Sequence, residues 1–370
     1  MKDPRMEKLA KLLVNYSCKV QKGEKVLIES FDAPIEMVEC LIKEVYAAGG
    51  YPFLQLNSNK LRRALINGMD KELADKMKEL DLIRMKEMDA YIAIRGGNNS
   101  LELSDADPDR KELFTRDYIR PVCDVRVNET KWVILRWPSE GMAQLAKTST
   151  EAFEDYYFDV CTLDYAKMDK AMDSLQALMK KTDKVRLIAK DTDLSFSIKN
   201  IGAVKCSGAC NIPDGEVYSA PVKDSVNGYI HYNAPSIENG IEFKDVRLVF
   251  KDGKIVKATA NDTVACNKIF DTDDGARYVG EFAIGVNPYV TKPMGDILFD
   301  EKISGSIHFT PGCCYEDCDN GNHSAVHWDL VLIQTPEYGG GEIWFDDVLI
   351  RKDGIFVLPE LECLNPANLK

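Results

Sequence analysis

Hydrophobic and polar residues follow two different rhythms along the chain. Near the N-terminus the apolar positions Met6, Leu9, Ala10, Leu12, Leu13 and Tyr16 recur at helical spacing behind Asp3-Pro4, a cap and first-turn pair. A short apolar run over 25–29 follows the turn-like Lys22-Gly23 and predicts a buried strand. Helical spacing returns over 33–48 and stops at Gly49-Gly50, followed by a strand over 52–56 and a long helical stretch over 61–88. Runs over 90–94 and 131–135 predict two more strands. Strands separated by helical stretches of about ten residues or more imply crossover connections and a mainly parallel sheet. The first half is therefore expected to be an α/β domain.

After a further helical region over 151–181 the texture changes. Ten short apolar runs, over 185–190, 194–198, 229–232, 246–250, 255–260, 279–284, 304–309, 325–333, 342–345 and 348–350, are separated by Gly, Asn, Asp or Pro. Asp252-Gly253 and Asp353-Gly354 mark tight hairpins. Two domains are expected, an α/β domain over 1–184 and a strand-rich α+β domain over 185–370.

Composition narrows the function classes. With 45% hydrophobic and 29% charged residues the chain is an ordinary globular one, and its 60 acidic against 47 basic side chains give a net charge of −13. That balance, without a Lys/Arg-dense segment, speaks against nucleic acid and against an anionic membrane as partners. No apolar run reaches the roughly 18 residues of a spanning helix, and Met1-Lys2-Asp3-Pro4-Arg5 does not open a signal peptide. The 11 cysteines, an odd number spread along the chain, read as reduced thiols and a cytoplasmic address. No phosphate-loop pattern is present, and Arg95-Gly96-Gly97-Asn98-Asn99-Ser100 fits a simple turn at least as well as a ligand loop.

All four histidines, His231, His308, His323 and His327, fall in the second half. On a strand, His327 and Asp329 share one face while Val326, Trp328 and Leu330 share the other. A histidine held by an aspartate and a metal site fit that pattern equally. The segment 305–310 repeats it, with Ser306, His308 and Thr310 opposite Ile307 and Phe309. Glu281 opens a strand expected to be buried, where an unpaired carboxylate costs several kcal/mol and calls for a Lys, an Arg or a metal. Asn211-Ile212-Pro213-Asp214-Gly215-Glu216 is a rigid turn that aims Glu216, or else exposes it. Together Glu216, Glu281, His308, His327 and Asp329 form an N/O donor set suited to Zn, Co or Mn. Five donors exceed one tetrahedral ion and point to two ions about 3.5–4 Å apart, an arrangement used for hydrolysis.

The segments 211–221, Gly280-Glu281, Asp300-Glu301-Lys302 leading to His308, and Asn322-His323-Ser324-Ala325-Val326-His327-Trp328-Asp329 resemble, in this order, the aminopeptidase T / aminopeptidase S family of dimetal exopeptidases. The likeness runs over nearly the whole chain. It implies a metalloaminopeptidase that releases N-terminal residues from peptides through a water activated by two divalent ions, in a homodimer whose C-terminal domain is catalytic. The implied ligands are Glu216, Glu281, His308, His327 and Asp329, with Glu301 as a further one at a longer spacing to His308 than the family pattern. Glu216 or Glu281 is the implied proton shuttle and Tyr315 the oxyanion donor. Another dimetal amidohydrolase, or a binding protein that keeps the fold, are the competing classes. Cys313, Cys314 and Cys318 depart from the family pattern, and Cys206 and Cys210 form another close pair. Their spacings make no pair of C-x-x-C units, so unliganded, oxidation-sensitive thiols are expected over a structural zinc. His231, among aromatic neighbours, is expected to be packed or substrate-facing, and His323, beside a turn, to be exposed.

Overall fold

The computed structural model describes residues 3–99 and 101–370, so Met1, Lys2 and Ser100 of the segments read above lie outside it. The chain divides into two compact units, Met1–Thr162 with Gly208–Ile212, and Leu163–Ser207 with Pro213–Lys370. The helical region expected over 151–181 is two helices, Thr150–Cys161 and Tyr165–Met179, because Asp164 accepts a hydrogen bond from the Lys167 amide and starts the second. The second helix groups with the strand-rich unit. The division thus falls at Thr162/Leu163, ahead of the change of texture at 184.

The first unit is an α/β layer. Its sheet runs Tyr51–Asn57, Lys25–Phe31, Ala90–Arg95, Lys131–Arg136 and Asn211–Ile212, every pair parallel. The two-residue strand Asn211–Ile212 joins from far along the chain, which no local pattern announces. The stretch 61–88 contains two helices, Asn59–Asn67 and Lys71–Lys86, interrupted at Gly68 and restarted by Asp70, whose carboxylate accepts from the Leu73 amide. Gly96 lies against the carbonyls of Phe31 and Asp32, and its own carbonyl accepts from Asn59 Nδ2, so the glycine pair makes a turn.

The second unit stacks two sheets. An eight-stranded antiparallel sheet runs Lys254–Thr259, Arg247–Lys251, Asn227–His231, Thr192–Ser197, Lys184–Ala189, Gly341–Phe345, Val348–Lys352 and Ile355–Phe356. Asp252-Gly253 and Asp353-Gly354 turn its hairpins with positive φ at both positions, as such turns require. A five-stranded antiparallel sheet runs Val331–Ile333, Ser306–Pro311, Val279–Gly285, Glu216–Ser219 and Val204–Cys206. Phe196 and Phe250 of the larger sheet meet Phe282 and Phe309 of the smaller one, with Phe196 5.0 Å from each of the latter two. Phe282 and Phe309 are wholly buried. Because side chains alternate along a strand, this apolar contact sends the polar residues of the same strands to the other face.

One expected strand is shortened. Over 325–333 only Val331–Ile333 keeps regular pairing. The rest runs alongside without a regular ladder, with the Phe309 amide on Leu330 O, the Trp328 amide on Pro311 O and the Cys313 amide on Val326 O. Pro311 has no N–H to continue the ladder, so regular pairing stops beside it. A single bridge, Gly312 with His327, survives beyond.

Candidate metal centre

The polar face of the five-stranded sheet gathers the acidic and imidazole side chains. Register places Glu216 across from Gly285, Tyr218 and His308 both across from Ala283, and Thr310 across from Glu281. Two glycines make room. A Cβ on Gly285 would sit 2.5 Å from Ile303 O and 2.8 Å from Ser306 Oγ, and one on Gly280 would sit 2.5 Å from Gly312 O and closer still to Cys313 O. A bulge between Val279 and Glu281 accompanies the second approach and re-aims Glu281.

Glu281, 2% exposed, stands between the two imidazoles. Its Oε1 is 3.3 Å from His308 Nε2 and its Oε2 is 3.3 Å from His327 Nε2. His308 Nε2 also lies 3.5 Å from Glu216 Oε2, and His327 Nε2 3.4 Å from Asp329 Oδ1. Asp329 Oδ1 accepts from Thr310 Oγ1 at 2.7 Å. Two groupings result, Glu216–Glu281–His308 and Glu281–His327–Asp329, each with one potential ligand atom per residue within 4.8 Å of the others. Glu301, His308 and Asp329 form a third. Between Glu301 and His308 the chain turns, with the Ser306 amide donating to Ile303 O, over the space left by Gly285.

Charge is unbalanced in this cluster. Asp214, Glu216, Glu281, Glu301 and Asp329 face one resident ammonium, that of Lys302, which lies 2.6 Å from Glu216 Oε1, 2.7 Å from Glu301 Oε1 and 3.4 Å from Asp214 Oδ1. Burial pushes the Glu301 carboxyl up to about 8, against the pull of Lys302, and also raises that of Glu216. Burial works in the same sense on Glu281, but His308 and His327 outweigh it and hold that carboxyl below the usual range. Asp329 is likewise held low, its burial overcome by His327. The imidazoles answer in kind: burial disfavours their charge, yet Glu216 and Glu281 lift His308 to about 10, and Asp329 with Glu281 lifts His327 to about 12. Glu216, Glu301, His308 and His327 are thus biased toward holding a proton, while Glu281 and Asp329 keep their negative charge against the imidazoles beside them. Glu216 Oε2 and His327 Nε2 are buried without a hydrogen-bond partner, which a cation would supply. Neutral imidazole and carboxylate donors of this kind suit Zn, Co or Mn, so the residues present fit divalent ions.

The remaining expected residues are placed as follows. Tyr315 is half-exposed, its ring centroid 4.9 Å from that of His327 and 5.5 Å from that of Tyr218. His323 is exposed. His231 is mostly buried on the larger sheet, its Nε2 3.2 Å from Asp245 Oδ1. No disulfide joins any cysteine; Cys206 groups with Asp214 and Glu216, and Cys313 contributes its backbone carbonyl to His327. Sequence reading missed Lys302 and Asp214 as members of the cluster. Both stand inside the motifs that carry the resemblance, but nothing in their spacing shows that the Lys302 ammonium folds inward.

A cluster of this composition is suited to a metal-dependent enzyme, and the family match makes that enzyme a hydrolase. Residues 2–340 match the thermophilic metalloprotease (M29) family, and the chain belongs to that family, which makes it a metalloaminopeptidase. It is 24% identical to aminopeptidase PepS of Streptococcus thermophilus, over 88% of this chain and 91% of that protein. It is also 24% identical to aminopeptidase 2 of Geobacillus stearothermophilus, over 95% of both. The wild-type AmpT structure from Thermus thermophilus superposes with a TM-score of 0.77 at 20% identity, covering 96% of this chain and 99% of that one. A dioxygenase structure from Pseudomonas putida KT2440 shares the fold at a TM-score of 0.63 and 12% identity.

Proposed function

We propose that the protein releases N-terminal amino acids from peptides with two divalent ions, Zn, Co or Mn, held in the second unit. The observation that carries the proposal is Glu281, which turns one oxygen to His308 and the other to His327, as a carboxylate shared between two ions would. Glu216, Glu281 and His308 would hold one ion and Glu281, His327 and Asp329 the other, with Glu301 beside them. Bound ions of this kind supply Lewis acidity toward a peptide carbonyl and lower the pKa of water.

The chain's own residues then have separable tasks. Glu216, whose Oε2 has no hydrogen-bond partner, or Glu281 would exchange the proton between the attacking water and the departing amine. Thr310 keeps Asp329 oriented through its 2.7 Å hydrogen bond. Tyr315, whose ring lies 4.9 Å from that of His327, would donate its hydroxyl to the oxygen on which charge develops. A cytoplasmic homodimer belongs to the same proposal, on the cysteine usage and the family resemblance; no helix among the described residues is long and apolar enough to cross a membrane.

Metal quantification by mass spectrometry, paired with a panel of peptides, aminoacyl amides and non-peptide amides, tests this function. Two divalent ions per chain and release of N-terminal residues are expected. Near-zero metal with no activation by Co, Zn or Mn would select the binding protein, and turnover of non-peptide amides alone would select the other amidohydrolase class.

A further inference from the structure

We propose that Lys302 is a positioning residue, a cation tethered inside the acidic cluster that holds Glu216 and Glu301 by one oxygen each and so turns the other oxygen of Glu216 toward His308. The inference rests on the two-ion function proposed above and adds to it a residue with its own task.

A lysine 2% exposed needs a reason, since removing an ammonium from water costs several kcal/mol and a hydrophobic side chain of the same length would avoid that cost. The reason lies in what surrounds it. Cys206, Asp214 and Glu216 form a further grouping with potential ligand atoms within 4.8 Å of one another, the spacing at which a third divalent ion could sit. Lys302 Nζ is already on two of those residues, at 3.4 Å from Asp214 Oδ1 and 2.6 Å from Glu216 Oε1. The chain thus fills that position with a charge of its own that cannot dissociate, and exchangeable ions are confined to the groupings around Glu281.

Lys302 is also held in place by its backbone. Its amide donates to Phe299 O at 3.0 Å, and its carbonyl accepts from the Asn287 amide at 3.1 Å. The fully buried Asn287 side chain donates in turn to Asp214 O at 2.7 Å, two residues before Glu216. One asparagine therefore ties the strand that carries Glu216 to the turn that carries Lys302, and the 2.6 Å pair is aligned from both sides. With Oε1 so occupied, Glu216 presents a single oxygen, Oε2, 3.5 Å from His308 Nε2.

The experiment compares metal-free wild type, Lys302→Met and the double variant Asp214→Asn/Lys302→Met, which removes one buried negative charge together with the positive one. Each is titrated with Mn²⁺ and with Zn²⁺ by calorimetry, and each is melted in the metal-free state. A partner one step removed from a metal typically changes affinity about 10- to 100-fold, so one class of site is expected to weaken by that factor in any variant that folds, without a matching fall in Tm of the double variant. The loaded variants should lose kcat with KM for an aminoacyl p-nitroanilide changed less than about threefold, consistent with a displaced Glu216. Metal affinity within twofold of wild type in either variant overturns the proposal. A double variant that does not fold either assigns Lys302 to maintaining the fold and overturns it as well. Wild type that takes up no divalent ion would instead defeat the two-ion function itself, so the two failures are read from different samples.

Discussion

The Nδ1–H of His327 donates to the backbone carbonyl of Cys313 at 2.8 Å. That bond fixes the orientation of the ring and turns Nε2 toward Glu281 and Asp329. The Gly312–His327 bridge, one residue before Cys313, holds the ring to the strand end at the point where regular pairing stops.

Replacing either partner of the central pair should therefore remove activity and leave the fold. His327→Ala and Glu281→Ala are each expected to lower kcat/KM by at least about a hundredfold, more than an outer-shell substitution costs. His231→Ala and His323→Ala should stay within about twofold, because neither ring reaches the cluster. Far-UV circular dichroism and a cooperative melt check folding, and activity retained in Glu281→Ala would count against the shared carboxylate.

Chelation should act on stability as well as on turnover. Ions that bind only the folded chain add about 2.7 kcal/mol at a hundredfold excess over Kd, so dialysis against a chelator should lower Tm and abolish hydrolysis together. Adding Co, Mn or Zn back should restore both. Tm and residual activity measured along a metal titration check this, and a Tm indifferent to metal would contradict it.

Gly280→Ala tests the packing beneath the site. Its new Cβ would meet the backbone carbonyls of Gly312 and Cys313, which cannot swing aside as a side chain can. A loss of about 1–3 kcal/mol is expected from the overpacking. Because the same Cys313 carbonyl orients His327, kcat should fall by more than stability alone explains. Denaturant melts and steady-state kinetics at a temperature well below Tm separate the two effects.

Asp273 gives the segment leading to His327 a dependence on pH. Its carboxylate accepts the amides of Ala325, Ala276 and Gly275 and the Ser324 hydroxyl, and the Ala325 amide is the largest of the causes that hold it below the usual carboxylate range. A carboxyl lowered by folding contributes stability that is complete above its unfolded value near 3.9 and lost as pH falls through the lowered folded value. Hydrogen exchange at the Ala325 amide should accelerate, relative to the core strands, below about pH 4. In Asp273→Ala the exchange should be fast at neutral pH and lose that acid dependence; an amide equally protected in the variant would contradict the anchoring.

Much of this was legible in the chain because the informative residues report local geometry. The periodicities over 25–29, 90–94 and 131–135 gave the parallel strands, and Asp-Gly pairs gave two hairpins. Alternation put His327 and Asp329 on one side, and they do face a common neighbour although the ladder between them fails at Pro311. What stayed hidden depends on distant pairing. Asn211–Ile212 adds a strand to a sheet formed by residues 25–136, and the stop at Thr162 in the helical region has no glycine or proline to mark it. Lys302 was hidden for an electrostatic reason, since a lysine in a sequence reads as surface until its carboxylate neighbours are brought together from Asp214, Glu216 and Glu301.

The phenylalanine contact between the two sheets has a bearing on how the protein should respond to change. Phe282 and Phe309 lie on the backs of the same two strands that present Glu281 and His308 in front, so the berth for the ions is moulded by hydrocarbon before any cation arrives. Substitutions behind that floor should therefore cost stability and turnover together, because swapping one ring for another would warp the cradle itself.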